Sequence, residues 1–207
     1  MTRLTRQVLA ILSAVIYLLS CNSNETANNY NPIKVYVEDT FMLARKKAFA
    51  ETASQLNLTP IDKGVDSFEI RIWVSSIFIE KDLLVLKYSD NTWQHQKIRF
   101  YRRPDDVVYS KQEKIKRPEI SLELLVDSIR RIQFDKLLPQ NEIPGFVDNV
   151  ADGVWYSVEI ATKGSYKQLT YHCPERFAKT EINNKKFLDL IFLLNRYYHF
   201  WMPICTE

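Results

Sequence analysis

Residues Phe68 to Val74 constrain the fold more than any other stretch of this 207-residue chain. Phe68, Ile70, Ile72 and Val74 alternate with Glu69, Arg71 and Trp73, the two-residue period of a half-buried β-strand. Such a strand needs partners, and the sequence supplies them. Asp82 to Tyr88 and Trp93 to Tyr101, separated by the turn-forming Ser89-Asp90-Asn91-Thr92, read as a hairpin. Val107 to Ile115 reads as a further strand whose lysines suit a sheet edge. Val154 to Ala161 alternates again, Lys163-Gly164-Ser165 turns the chain, and Tyr166 to Cys173 returns beside it.

Three segments carry helical spacing. Asp39 to Leu58 sets Met42, Phe49, Ala53 and Leu56 on one stripe, with Asp39 or Thr40 as N-cap and Asn57 and Pro60 as the stop. Pro118 opens a helix over residues 121–133, with Leu122, Leu125, Val126 and Ile129 inward. From Asn184 to Phe200 the inner stripe is Phe187, Leu190, Ile191, Leu194, Tyr198 and Trp201. Leu188, Phe192 and Leu193 widen that stripe, so this helix is expected to be sandwiched in the core or to lie under a partner. The sum is a single α+β domain over residues 33–207, an antiparallel sheet of about five strands with at least three packed helices. An aromatic content of 13% with only 4 glycines fits a packed domain and excludes a linker-like chain.

The N-terminus says where the domain sits. Arg3 and Arg6 precede an apolar run, Val8 to Leu19, which is far short of the roughly 20 residues a membrane span requires and has the length of a signal-peptide core. Leu18-Leu19-Ser20-Cys21 then resembles a bacterial lipobox. The resemblance implies removal of residues 1–20, diacylglycerol on the Cys21 thiol, and acylation of the new amine by a fatty acid such as palmitate. Two or more acyl chains hold a bilayer where one does so only marginally. Residues 21–32, polar and Asn-rich, read as the lipidated cysteine and a flexible tether. Asn22 is not the aspartate that retains enterobacterial lipoproteins at the inner membrane, so by analogy the outer membrane is the expected location. Both arginines of the first 20 residues leave with the leader, and the charge balance falls from 28 basic against 25 acidic residues to 26 against 25. That balance gives no electrostatic case for nucleic acid.

With Cys21 lipidated, Cys173 and Cys205 remain as a disulfide candidate in an oxidising compartment. A metal site built with His172 and His199 is the rival reading. It is disfavoured because adjacent strand residues point to opposite faces and the spacing from His199 to Cys205 matches no usual ligand pair. Neither a metal nor a cofactor is expected. One face of the second hairpin strand carries Trp93, His95, Lys97, Arg99 and Tyr101, a mixed aromatic and basic set. It is a candidate binding face for an anionic or sugar-like ligand, or an exposed sheet face on which aliphatic stems cover aromatics. No hydrolase, zinc-protease or phosphate-loop motif is present in the sequence. Glu69 and Glu159, both mid-strand, could form the paired carboxylates of a hydrolase. Their structural alternative is a cross-strand ion pair of Arg71 with Glu159.

The succession Arg71-Ile72-Trp73, a hairpin containing Trp93, Pro118, Leu137-Leu138-Pro139, Asp152-Gly153, Tyr156-Ser157-Val158-Glu159 and Tyr171-His172-Cys173-Pro174 resembles a group of uncharacterised bacterial lipoproteins. The resemblance implies an envelope domain and transfers no catalytic residue. The expected function is a non-enzymatic binding or structural module whose partners are the membrane, through its lipid, and an envelope protein or glycan. The alternatives are a hydrolase of an envelope polymer and an immunity-type inhibitor of an incoming toxin.

Overall fold

The computed structural model describes residues 40–76, 81–102, 108–113, 115, 120–200, 202, 203 and 205, all within one compact unit, Ile33–Glu207. The expected leader, Cys21 and the tether lie outside the described residues, as do the side chain of Met42, Pro118 and Trp201. The fold is α+β, with a six-stranded antiparallel sheet and four α-helices among the described residues. The strands are β1 (Phe68–Ser76), β2 (Lys81–Ser89), β3 (Thr92–Arg102), β4 (Val108–Glu113), β5 (Val154–Thr162) and β6 (Ser165–His172), in the spatial order β4-β3-β2-β1-β5-β6. Six strands stand where about five were expected, because the lysine-bearing edge segment does pair with β3.

Turn chemistry sets the registers. Asp90 and Asn91 both take positive φ, the left-handed pair that a two-residue hairpin loop demands, and Ser89 stands opposite Thr92. In the Lys163-Gly164 loop of the β5–β6 hairpin Gly164 alone takes positive φ, +70°, with Thr162 opposite Ser165. β1 lies between β2 and β5, so its neighbours cover both of its edges.

One face of the sheet carries most of the core. Ile70, Ile72, Leu84, Leu86, Val158, Leu169 and Tyr171 meet α2 (Leu122–Ile132) and the long C-terminal helix α4 (Ile182–Tyr198), with the one-turn α3 (Pro174–Phe177) between them in sequence. Ser121 caps α2, its Oγ accepting from the Leu124 amide at 3.3 Å. Phe187, Leu190, Ile191, Leu194 and Tyr198 are all buried, as the stripe predicts, and Phe187 stacks on Tyr171 with centroids 4.1 Å apart. The outer side of α4 is less enclosed than its composition suggests, since Phe192 is 49% exposed.

The opposite face carries α1 (Thr40–Gln55). This helix ends in a Schellman arrangement. Asn57 takes φ +58°, its amide bonds the Ser54 carbonyl at 3.0 Å, and the Leu58 amide reaches back to Ala53 at 2.8 Å. Phe49 stacks on Trp73 at 4.8 Å, Trp73 meets Phe100 edge-on, and Ala53 and Leu56 complete a second core with Leu83, Val85 and Ile98. Residues 57–60 then run across the sheet. One expectation fails here: β1 is buried on both faces, with Glu69, Arg71 and Trp73 only 4, 3 and 2% exposed. The polar side of its alternation faces a helix, and its charges are neutralised internally.

The far edge, β6, is closed by side chains. The Gln140 amide accepts from the His172 N–H at 2.7 Å and donates to the His172 carbonyl at 2.9 Å, taking the place of a seventh strand. Its Nε2 also donates to Asn184 Oδ1 at 2.7 Å, Lys167 donates to the carbonyls of Asp135 and Leu137, and the Tyr171 hydroxyl donates to that of Leu138.

Candidate functional site

The pleat sorts the polar residues of β3 into two sets. Trp93, His95, Lys97, Arg99 and Tyr101 do share one face, as expected. Its charges are paired within the fold, while Trp93 Nε1 and His95 Nδ1 are buried without a hydrogen-bond partner among the described residues. Lys97 lies 3.6 Å from Asp82 and 3.2 Å from Glu113, and Arg99 lies 3.1 Å and 3.7 Å from the same two carboxylates. The Lys97 ammonium holds the Glu113 carboxyl below its ordinary range. Trp93 packs edge-on against Phe68 and Tyr88, Tyr101 stacks on Tyr109 at 5.3 Å, and His95 Nε2 meets the Ile115 carbonyl at 3.1 Å.

The opposite face, beneath α1, holds the two candidate carboxylates. Arg71 stands opposite Glu159 in the β1–β5 register, but its guanidinium turns along its own strand. Nε donates to Glu69 Oε1 at 2.8 Å and a terminal nitrogen donates to the Thr59 carbonyl, so Arg71 both neutralises Glu69 and ties down the 57–60 loop. In place of the expected Arg71–Glu159 ion pair, the guanidinium is held by Glu69, two residues along on the same face, and by the Thr59 carbonyl of the loop. Glu159 finds neutral donors instead. Trp73 Nε1 and the Tyr166 hydroxyl each donate to it at 2.6 Å. Burial pushes the Glu159 carboxyl above its ordinary range, against those two hydrogen bonds and the nearby charge of Arg71.

Among the described residues, cavities open on this face on either side of the 57–60 loop, and two of them reach Arg71 and Leu58. The first, of about 320 Å³, lies under α1 and is mainly apolar: Leu43, Phe49, Ala50, Ala53 and Ile61 wall it, Lys46 and Lys47 rim it, and Glu159 and Tyr166 lie at its floor. Lys46 Nζ sits 5.1 Å above the Tyr166 ring. The second, of about 310 Å³, is polar and lies beyond the loop over β2, β3 and β4. Asn57, Thr59, Lys87, Gln94, Gln96 and Gln112 line it, with Glu69 and Arg71 beneath. Glu69 therefore opens to one cavity and Glu159 to the other.

At the sheet's other end Cys173 and Cys205 are joined in a disulfide, Cα atoms 5.6 Å apart. The link holds the C-terminal segment on β5, where the Val154 amide donates to Cys205 Sγ at 3.2 Å and the Cys205 amide donates to Glu175. Among the described residues the one grouping of metal-type donors is Cys173, Glu175 and Cys205, and its two sulfurs are spent in that bond. His172 turns away to Asp148, at 2.8 Å, and stacks on Trp155, while His199 ends α4 with φ +47°. Gly153 packs against the disulfide so tightly that a Cβ there would fall 2.1 Å from Cys173 Sγ.

No protein-family model matches the chain, and neither a curated protein nor a solved structure does. Its function is read from its own geometry. The polar cavity is the feature that sequence reasoning passed over. Its signal was the alternate set on β3, Gln94 and Gln96, two uncharged polar residues preceding Ile98 and Phe100 on one face.

Proposed function

We propose that this chain is a lipid-anchored, non-enzymatic binding module of the bacterial cell envelope, tethered through Cys21 to the outer membrane, that takes its ligand in the cleft formed by the two cavities around the 57–60 loop, on the α1 side of the sheet. The observation that carries the binding part is the contrast between the two polar faces. The charges on the Trp93–Tyr101 face satisfy one another, whereas Asn57, Gln94, Gln96 and Gln112, whose side chains have no hydrogen-bond partner among the described residues, converge on a cavity of small-molecule size on the α1 side. The Leu18–Cys21 tetrad supports the anchor.

Two measurements test this reading in cells. Labelled palmitate should enter the wild-type protein and not the Cys21→Ser variant, which should leave the membrane fraction. Amine footprinting of native envelopes should show Lys46, Lys47 and Lys87, which border the cavities, protected relative to the purified protein, with Lys111 and Lys185 equally labelled in both. Equal labelling of all five would contradict a ligand in the cleft.

The hydrolase reading retains one supporting observation, a buried carboxyl with a raised proton affinity that lines a cavity, Glu159. A paired acid and base must flank one bond, however, and Glu69 lines the other cavity. Loss of an envelope-degrading activity in Glu159→Gln, with folding retained, would support the enzyme over the binder.

A further inference from the structure

We infer that the polar cavity beside the 57–60 loop is a saccharide subsite, built for one or two neutral sugar rings. The inference rests on the cleft being a binding site and adds the chemistry of what fills it. Four carboxamides supply the walls: Gln94 and Gln96 from β3, Gln112 from the adjacent β4, and Asn57 from the end of α1. None of the four side chains has a hydrogen-bond partner among the described residues. Gln94 and Gln96 stand two residues apart on one face, about 7 Å along the strand. Each amide offers two donors and an acceptor side by side, which is the complement of neighbouring sugar hydroxyls that both donate and accept.

Charge and shape narrow the class. The Glu69–Arg71 pair beneath the amides is closed on itself at 2.8 Å, so among the described lining residues an anionic ligand would find Lys87 as the cation left to it, and a carboxylate at the floor. Among the described residues the one ring-bearing residue at the cavity is His95, whose imidazole turns to the opposite face toward the Ile115 carbonyl, which leaves a nucleobase or flat apolar ligand without a stacking surface. Leu58 and Val85 offer a small apolar patch of the kind that meets the C–H face of a sugar ring. A volume of about 310 Å³ lies at the lower end of the range for small-molecule sites, enough for a short glycan unit. An extended peptide would dock along a free strand edge, whereas these amides project from a sheet face.

Titration of the full domain with N,N′-diacetylchitobiose, maltose and, as the rival class, trialanine tests the inference by heteronuclear NMR. A neutral disaccharide should move the side-chain amide signals of Asn57, Gln94, Gln96 and Gln112 saturably. Gln96→Leu and Gln112→Leu should each weaken that binding by about tenfold at unchanged melting temperature, since a lost partner leaves sugar hydroxyls unsatisfied. Gln112 is exposed on an edge strand, so its variant decides the matter if Gln96→Leu folds poorly. The inference is overturned if no saturable shift appears up to about 10 mM sugar. It is equally overturned if only trialanine binds, or if the shifts map to Tyr101 and Tyr109. Lysine protection in native envelopes without sugar binding would remove the ligand class and keep the binding module. Loss of both would remove the two together.

Discussion

Successive residues of β3 lead opposite lives. Lys97 and Arg99 look, by composition, like the stronger binding residues, yet each lies against Asp82 and Glu113. Gln94 and Gln96, uncharged and unremarkable in sequence, point the other way, and their side chains have no hydrogen-bond partner among the described residues. A side chain's capacity to recognise a ligand depends on what its own fold has left unsatisfied. Charged groups on a sheet are costly to leave alone and are paired within the fold, whereas amides at an open surface are cheap to leave to water.

The difference is most forcibly broken beneath the cleft. Arg71→Leu would strand the buried Glu69 carboxylate and release the 57–60 loop, costing about 3–5 kcal/mol in urea denaturation and merging the two cavities. On the self-paired face, Asp82→Ala removes the carboxylate shared by Lys97 and Arg99. Glu113 remains as a partner, so the expected loss is smaller, about 2–3 kcal/mol.

Lys167 extends the comparison to a buried cation whose acceptors are backbone carbonyls. Burial pushes its ammonium down to about 8, against the partial compensation of Asp135 and Glu142. Below pH 8 the lysine is protonated folded and unfolded, and the fold carries the full burial cost. Between about pH 8 and 10.5 the folded protein releases its proton first, the unfolded chain binds more, and stability rises with pH. The expected gain is on the order of 1–2 kcal/mol. Above about pH 10 the slope reverses, because burial suppresses ionisation of Tyr156, Tyr171 and Tyr198 only in the folded state. Urea midpoints across this range should show the rise in the wild type and none in Lys167→Met.

The smallest effect sharpens the contrast. Gln94→Ala and Gln96→Ala, on the strand that also holds Lys97, should change stability by no more than about 0.5 kcal/mol, since no intramolecular bond is lost. A cost near that of Asp82→Ala would mean the amides are structural after all.

Much of the fold was legible because its signals are local. The Asp90-Asn91 turn, the Asn57 stop of α1 and the inner stripe of α4 each sit within a few residues of what they control. The cap on the β6 edge was not, because Gln140 meets His172 across 32 residues and an isolated glutamine announces no such role. The burial of both β1 faces was hidden for a related reason. Glu69 and Arg71 read as a solvent face until α1 and its loop cover them. The site was obscured by chemistry as well as distance. Aromatic and basic residues at 93–101 drew the functional reading to the face whose partners, Asp82 and Glu113, come from neighbouring strands. The disulfide pair was visible by elimination, since two cysteines remain once Cys21 is set aside.

The most direct test of which face binds is a pair of photoreactive residues placed one at a time in the full chain, at position 96 on the amide face and position 101 on the aromatic face. On irradiation in cells, the probe at 96 should capture envelope material that the probe at 101 does not, and excess neutral disaccharide should suppress the capture. Capture from position 101 alone would return the function to the aromatic face and contradict the account.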